Sequence, residues 1–353
     1  MRPPESQQIL ALTMGDPAGV GGELTLAAWA RLRGDRGGPA FVALDDPARL
    51  SGLAASLGLD VPVAAVDGPE AAAGVFADAL PVLSVPLRAP ATPGRPDPAN
   101  GPAVLASVER AVRLALDGRV GGLVTNPIGK ATLYRAGFAF PGHTEYLGAL
   151  TGAAEPPVMM LACPGLRVVP VTVHVPLRRA LDDLSAEAIV RTGLALARAL
   201  RDDFGVGTPR LAVAGVNPHA GEEGTMGDEE ARVVAPAVAA LRAAGVDARG
   251  PLPPDAVFTP RARAGYDAAL CMYHDQGLIP LKALDVDGGV NVTLGLPVVR
   301  TSPDHGTALD IAGTGRADPG SLLAALRMAA EVAGRRRRNA SAAAAGAERA
   351  ASA

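Results

Sequence analysis

The chain has 353 residues, of which 48% are hydrophobic and 20% charged, enough apolar mass for two cores and hence for two domains sharing a cleft. A net charge of -3 and a pI near 6.0 give no general attraction to nucleic acid or to an anionic membrane surface, and no apolar run reaches the length of a transmembrane helix. Only 3% of the residues are aromatic, so Ala, Val and Leu must do the packing.

The opening MRPPESQQ has neither the charged-then-apolar pattern of a secretory signal nor the Arg/Ser richness of a transit peptide, and a cytoplasmic protein is expected. Short β-rich runs then alternate with longer helix-patterned stretches, the mark of an α/β fold. Strands are predicted at 8–13, 39–44, 121–125, 166–173, 210–216, 267–273 and 296–300. A helix over 103–117 spaces Val104, Val108 and Val112 one turn apart, with Asn100 as its cap and Pro102 near its first turn. The proline-rich stretch 86–102 reads as a loop. A helix over 186–204 starts after Ser185 and stops before Gly205. Pro236 within 229–244 predicts a short helix and a restart. From Arg335 onward the sequence reads as a solvated tail. Cys163 and Cys271 lie in apolar stretches without metal-ligand or redox spacing, and are expected as reduced core thiols. The glycosylation-like tripeptides at Asn291 and Asn339 are chance matches in an unsecreted protein.

Each of the five histidines has Pro or Gly close by, which disfavours helix interiors. Three of them end apolar runs: VVPVTV precedes His174, LAVAGVNP precedes His219 and AALCMY precedes His274. In a parallel sheet the carboxyl ends of the strands open onto one crevice, so three imidazoles can meet there. One reading is three loop histidines, each with a backbone hydrogen bond; the other is a divalent metal site with open positions. Imidazole suits Zn²⁺, Co²⁺ or Ni²⁺ better than Mg²⁺, a preference that substrate oxygens would relax. Asp275 can orient a histidine through its other ring nitrogen, or take a proton.

Lys130 and Lys282 are the only lysines among 33 basic residues. A lysine is a compact charge able to reach a phosphate, and both lie beside candidate motifs, VTNPIGK and HDQGLIPLK. Asn291 and Arg300 flank TLGLPVVR, where a cation after an apolar run suits anion capture. The glycine-rich TMGDPAGVGGE at 13–23 is neither G-x-G-x-x-G, since Leu24 stands where the third glycine would fall, nor a Walker loop. It reads as a strand-to-helix turn suited to an anion or a close ligand. NPHAGEEGTMGDEE at 217–230 is a second glycine-rich loop, leading into an acidic helix start.

Taken together, MGDPAGVGGE, TNPIGK, PGHTEYL, VHVPL, NPHAGEEGTMGDEE, GPLPPD, MYHDQGLIPLK, GVNVTLGLP and RTSPDHGTALDIAGTG resemble, in order and spacing, the 4-hydroxythreonine-4-phosphate dehydrogenase family of vitamin B6 synthesis. The resemblance covers residues 8 to 333. It implies two α/β/α domains of the isocitrate and isopropylmalate dehydrogenase type with the active site in the interdomain cleft. The first would comprise 1–143 and 302–334, and the second, 144–301, would carry the metal ligands and the interface of a homodimer; 335–353 would be a flexible tail. By the same resemblance His174, His219 and His274 become ligands of one divalent metal, whether Zn, Co or Mg. His143, Thr144, Lys282, Asn291 and Arg300 become substrate contacts, and the active sites lie at the dimer interface.

The implied chemistry is oxidation of 4-(phosphooxy)-L-threonine with NAD or NADP, followed by decarboxylation to 3-amino-2-oxopropyl phosphate. Asp275 and Lys282 are the candidates for the catalytic proton acceptor. A paralogous reading takes 4-phospho-D-threonate or 4-phospho-D-erythronate as substrate. A metal-dependent lyase and a non-catalytic metabolite-binding protein are the readings from other classes.

Overall fold

The computed structural model describes residues 8–351 except Arg36 and Pro141, with side chains as far as Ala347; the stretch read above for targeting signals lies, up to Gln7, outside the described residues. The chain divides into two compact units, Met1–Pro157 with Leu296–Arg338, and Val158–Gly295 with Asn339–Ala353. Thr144 and Arg300 therefore belong with the first unit.

The first unit begins with β1 (Leu10–Thr13), β2 (Phe41–Asp45), β3 (Val63–Ala65), β4 (Leu80–Ser84) and β5 (Leu123–Thr125). The second holds β6 (Val158–Cys163), β7 (Leu166–Thr172), β8 (Arg210–Ala214), β9 (Asp247–Leu252), β10 (Ala268–Tyr273) and β11 (Val290–Leu294), after which the chain returns to the first with β12 (Arg300–Pro303).

In the first unit the order is β3-β4-β2-β1-β5-β12, parallel throughout. Strands buried on both faces need continuous apolar runs, which LALT of β1 and FVALD of β2 supply, every residue being buried. Helix Gly101–Leu116 buries Val104, Val108 and Val112 against this sheet. Asn100 does not cap that helix. Its side-chain oxygen accepts the N–H groups of Arg88 and Ala89, and its amide donates to the Ala89 carbonyl, so it ties down the proline-rich loop instead.

The glycine-rich opening packs against the segment after β5. Gly15 has φ +71°, and a Cβ there would lie 2.7 Å from that of Asn126, whose amide donates to the Thr13 carbonyl and the Thr25 hydroxyl at 3.0 Å each. Only glycine fits that approach. Glu23, buried in the following helix, accepts the N–H groups of Gly313 and Gly315 and so holds the DHGTALDIAGTG loop to the same turn.

In the second unit the order is β11-β6-β7-β10-β8-β9. β6 pairs antiparallel with both β7 and β11, whereas β7, β10, β8 and β9 run parallel. Helix Ala186–Asp202 is capped by the Ser185 hydroxyl, which accepts from the Ala188 N–H at 3.2 Å. The break predicted near Pro236 is a one-turn π-helix, Glu230–Val234, followed by an α-helix over Ala235–Ala243 that takes the proline in its first turn. The last helix runs from Gly320 to Ala351, so the segment expected as a tail continues as helix beyond Arg335. Both cysteines are free and buried. Among the described residues no helix is long and apolar enough to cross a membrane.

Candidate active site

The three strand-end histidines fall on three neighbouring parallel strands. β10 lies between β7 and β8; His174 follows β7, His274 follows β10 directly, and His219 follows β8. Pairing of Tyr273 with Thr172 brings the ends of β7 and β10 level, and neighbouring strands lie about 4.8 Å apart. The His174 and His274 rings accordingly stand with centroids 5.7 Å apart. They line a cavity of about 200 Å³ together with Thr172, Leu177, Tyr273 and Asp275.

The Asp275 carboxylate lies 2.7 Å from His274 Nδ1. A carboxylate only accepts, so Nδ1 carries a proton; in the neutral ring Nε2 is then the lone-pair donor, the tautomer a metal ligand needs. His174 has φ 50° and His219 φ 54°, left-handed backbone that residues with a Cβ rarely adopt outside functional turns. His219 is exposed, and among the described residues no group of three His, Cys, Asp or Glu side chains is gathered at metal-binding distance. The single chain thus brings two of the three predicted ligands together. The donor chemistry of that pair fits a borderline divalent cation.

Lys282 lies on helix His274–Leu284, exposed, seven residues beyond Asp275 and so on its face of the helix. Asn291 sits in β11 with its side-chain carbonyl oxygen buried and without a hydrogen bond. An orphaned buried acceptor is costly unless a ligand supplies the donor.

The remaining predicted contacts belong to the first unit. Arg300 opens β12 beside β5, 3% exposed, and donates through Nη2 at 2.7 Å and Nε at 3.2 Å to the hydroxyl of Thr125, the last residue of β5. Burial depresses its guanidinium to about 10. His143 begins helix His143–Thr151, with Thr144 next in its first turn, and its Nδ1 lies 3.5 Å from Arg300 Nη2. Burial first, then the charges of Arg300 and Lys130, depress the His143 imidazole to about 3. It is therefore neutral at working pH. Since a guanidinium only donates, Nδ1 must accept, which puts the proton on Nε2, a buried atom with no partner. A neutral N–H beside an arginine and a lysine is equipped to hold a hydroxyl or an anionic oxygen.

A larger cavity, about 570 Å³, opens in the first unit between helix Pro47–Ser56 and residues 87–93, and contains none of the predicted site residues. Sequence reasoning missed Thr125, Gln276 and Glu230. Each is buried and bonds groups distant in sequence; the only signal was their place inside the TNPIGK, HDQG and GDEE motifs.

An α/β protein that gathers imidazoles at the carboxyl ends of parallel strands has the architecture of an enzyme acting on small molecules. The chain matches the family described as pyridoxal phosphate biosynthetic protein PdxA over residues 39–329, and it belongs to that family. A 4-hydroxythreonine-4-phosphate dehydrogenase of Caulobacter vibrioides is 57% identical over 332 residues, 93% of this chain and 98% of the relative. One of Methylorubrum populi is 58% identical over 332 residues, 92% of this chain and 95% of the relative. Among solved structures, the Klebsiella pneumoniae enzyme of the same name is similar with a TM-score of 0.83 at 41% identity, covering 93% of this chain and 98% of that one.

Proposed function

We propose that this chain oxidises 4-(phosphooxy)-L-threonine at its C3 hydroxyl with NAD or NADP, and that the product loses CO₂ to give 3-amino-2-oxopropyl phosphate. It is an oxidoreductase of vitamin B6 biosynthesis. The observation that carries the reading is the row of His174, His274 and His219 at the ends of three adjacent parallel strands. These three would hold one divalent metal, Zn, Co or Mg, which when bound supplies Lewis-acid stabilisation of negative charge on the substrate's oxygens. NAD or NADP, when bound, would supply the hydride acceptor.

The chain's own residues do the rest. Asp275 fixes the tautomer of His274. Arg300, kept cationic by a pKa of about 10 and aimed by Thr125, offers charge to the substrate's anionic groups. His143, neutral, donates from Nε2 to a substrate oxygen rather than acting as an acid. Thr144 and Lys282 add a hydroxyl and a second cation, and Asn291 offers its carbonyl oxygen to a hydroxyl or ammonium. The C3 hydroxyl proton goes to Asp275, or to Lys282 when its amine is in the neutral form, the two groups on the helix behind His274 with the chemistry to accept it. The working unit is a cytoplasmic homodimer whose partner chain completes each site, in keeping with the single chain's pairing of only two ligands.

The test is NADH or NADPH fluorescence on adding 4-phosphohydroxythreonine to metal-loaded protein, with phosphothreonate in parallel. Reduction only with the first substrate supports the proposal. Faster turnover of phosphothreonate would replace it with the paralogous reaction, and no reduction with either would end the dehydrogenase reading.

A further inference from the structure

The turn that carries His219 is held in a backbone conformation that most of its residues disfavour. His219, Ala220, Gly221, Glu222 and Glu223 all have positive φ, between 41° and 82°. Only one of them is glycine, and left-handed backbone crowds the Cβ of any other residue against the following carbonyl oxygen. Such a turn persists only where its surroundings over-determine it.

Two buried side chains do so. The Glu230 carboxylate, 6% exposed, accepts the N–H groups of Val216 and Asn217 on Oε1, both at 2.7 Å, and the Asn217 amide on Oε2 at 2.9 Å. Glu230 is also the first residue of the π-helix, an irregularity that recurs at functional sites. Gln276, 7% exposed, accepts the Met272 N–H on Oε1 at 2.6 Å and donates from Nε2 to the Gly215 carbonyl at 2.7 Å. Met272 lies two residues before His274, and Gly215 four before His219. Gln276 thus bolts the end of β10 to the end of β8, and Glu230 extends the bolt along Val216 and Asn217 to the foot of the left-handed turn.

We infer that Glu230 and Gln276 are positioning residues that hold the His219 turn and the His274 turn where each can present its imidazole to a metal, whichever chain of the dimer supplies the remaining ligands. Neither side chain reaches the site itself; they act through the backbone that presents the two imidazoles. The inference rests on the proposal that those imidazoles bind a metal. A brace with a merely structural role would lower the melting temperature without altering how tightly the folded, metal-free protein takes up a cation. A positioning role predicts weaker uptake in a protein that is still folded, because supporting groups of this kind are worth about 10- to 100-fold in metal affinity.

The experiment is calorimetric titration of metal-free, full-length protein with Co²⁺, with circular dichroism recording the fold. Glu230→Ala and Gln276→Ala are expected to bind about 10- to 100-fold more weakly than wild type. Glu230→Gln keeps the size of the side chain and the Oε1 acceptor but sets an amide against Asn217 Nδ2. It is expected to fold and to bind roughly three- to tenfold more weakly, at the weak end of such effects. Should the alanine variants not fold, Glu230→Gln decides, and wild-type affinity in it overturns the inference. His219→Ala separates the two levels of the argument. If it loses Co²⁺ while folded Glu230→Ala and Gln276→Ala retain wild-type affinity, the positioning role is wrong and the metal site stands; if His219→Ala itself binds as wild type does, the metal site falls and the positioning role with it.

Discussion

Lowering the pH should unfold this protein partly through His143, by an amount that can be worked out. The imidazole is depressed to about 3 in the fold, by burial and then by the charges of Arg300 and Lys130, against about 6.5 in an unfolded chain. A base with a depressed folded pKa contributes stability that is fully present above the unfolded value and is lost as the pH falls from 6.5 toward 3, because the unfolded state takes the proton first. At ~1.4 kcal/mol per pKa unit the whole effect approaches 5 kcal/mol as an upper bound. Between pH 7.5 and pH 5 the unfolded histidine goes from about one-tenth to almost fully protonated while the folded one stays neutral, and the stability lost is about 2 kcal/mol. Urea denaturation of wild type and His143→Gln at both pH values reads this directly, since carboxylate titration is common to both proteins. The wild type should lose about 2 kcal/mol more than the variant over that interval. Parallel losses would refute the reasoning and mean that His143 is hydrated and protonates freely.

Thr125→Val should destabilise the fold by about 1–3 kcal/mol, since it removes the hydroxyl that accepts two N–H groups of a buried guanidinium, and Thr125→Ser should restore most of it; urea midpoints give both values. Substrate affinity should fall with the same variant, because Arg300 loses its aim, and fluorescence titration checks this. Lys282→Arg keeps the charge but exchanges a compact ammonium for a larger fork, and should cut kcat/KM by roughly 10- to 100-fold, with a greater loss for Lys282→Ala; wild-type kinetics in both would return Lys282 to the surface. Cys271, fully buried with its thiol pushed up to about 12, should resist iodoacetamide at pH 8 in native protein and react once urea unfolds it, as mass spectrometry of the peptide would report.

The strands that carry chemistry were the legible ones. Predicted runs 166–173, 210–216 and 267–273 correspond to β7, β8 and β10, each a continuous apolar stretch ended by a turn, and their placement side by side explains why three histidines follow apolar runs. The strands missed are β3, β4, β6, β9 and β11, of which β4 and β6 are buried apolar runs and the others are not. β3 is three half-exposed residues, β9 contains Gly250 and Pro251 at the edge of its sheet, and β11 hides within a segment notable for Asn291. β6 is buried throughout but follows GAAEPP, which obscures its start. Asn100 failed as a cap because an Asn before Gly-Pro has the right chemistry for several local bonds, and the loop at Arg88 and Ala89 won. The left-handed His219 turn was beyond reach, since Ala220, Glu222 and Glu223 give no hint of positive φ. The roles of Thr125, Gln276 and Glu230 could not be read because their partners are defined by the fold: Gln276 meets a carbonyl 61 residues away and Arg300 meets a hydroxyl 175 residues away.

The central claim, that His174, His219 and His274 bind one divalent metal, is tested most directly by elemental analysis of protein loaded with Zn²⁺ or Co²⁺ and then dialysed. The account predicts one metal per chain in the wild type, and in each single His→Ala variant near-complete loss of the metal and of turnover with the circular dichroism spectrum unchanged. Full metal content and full activity in any one of the three variants would contradict it.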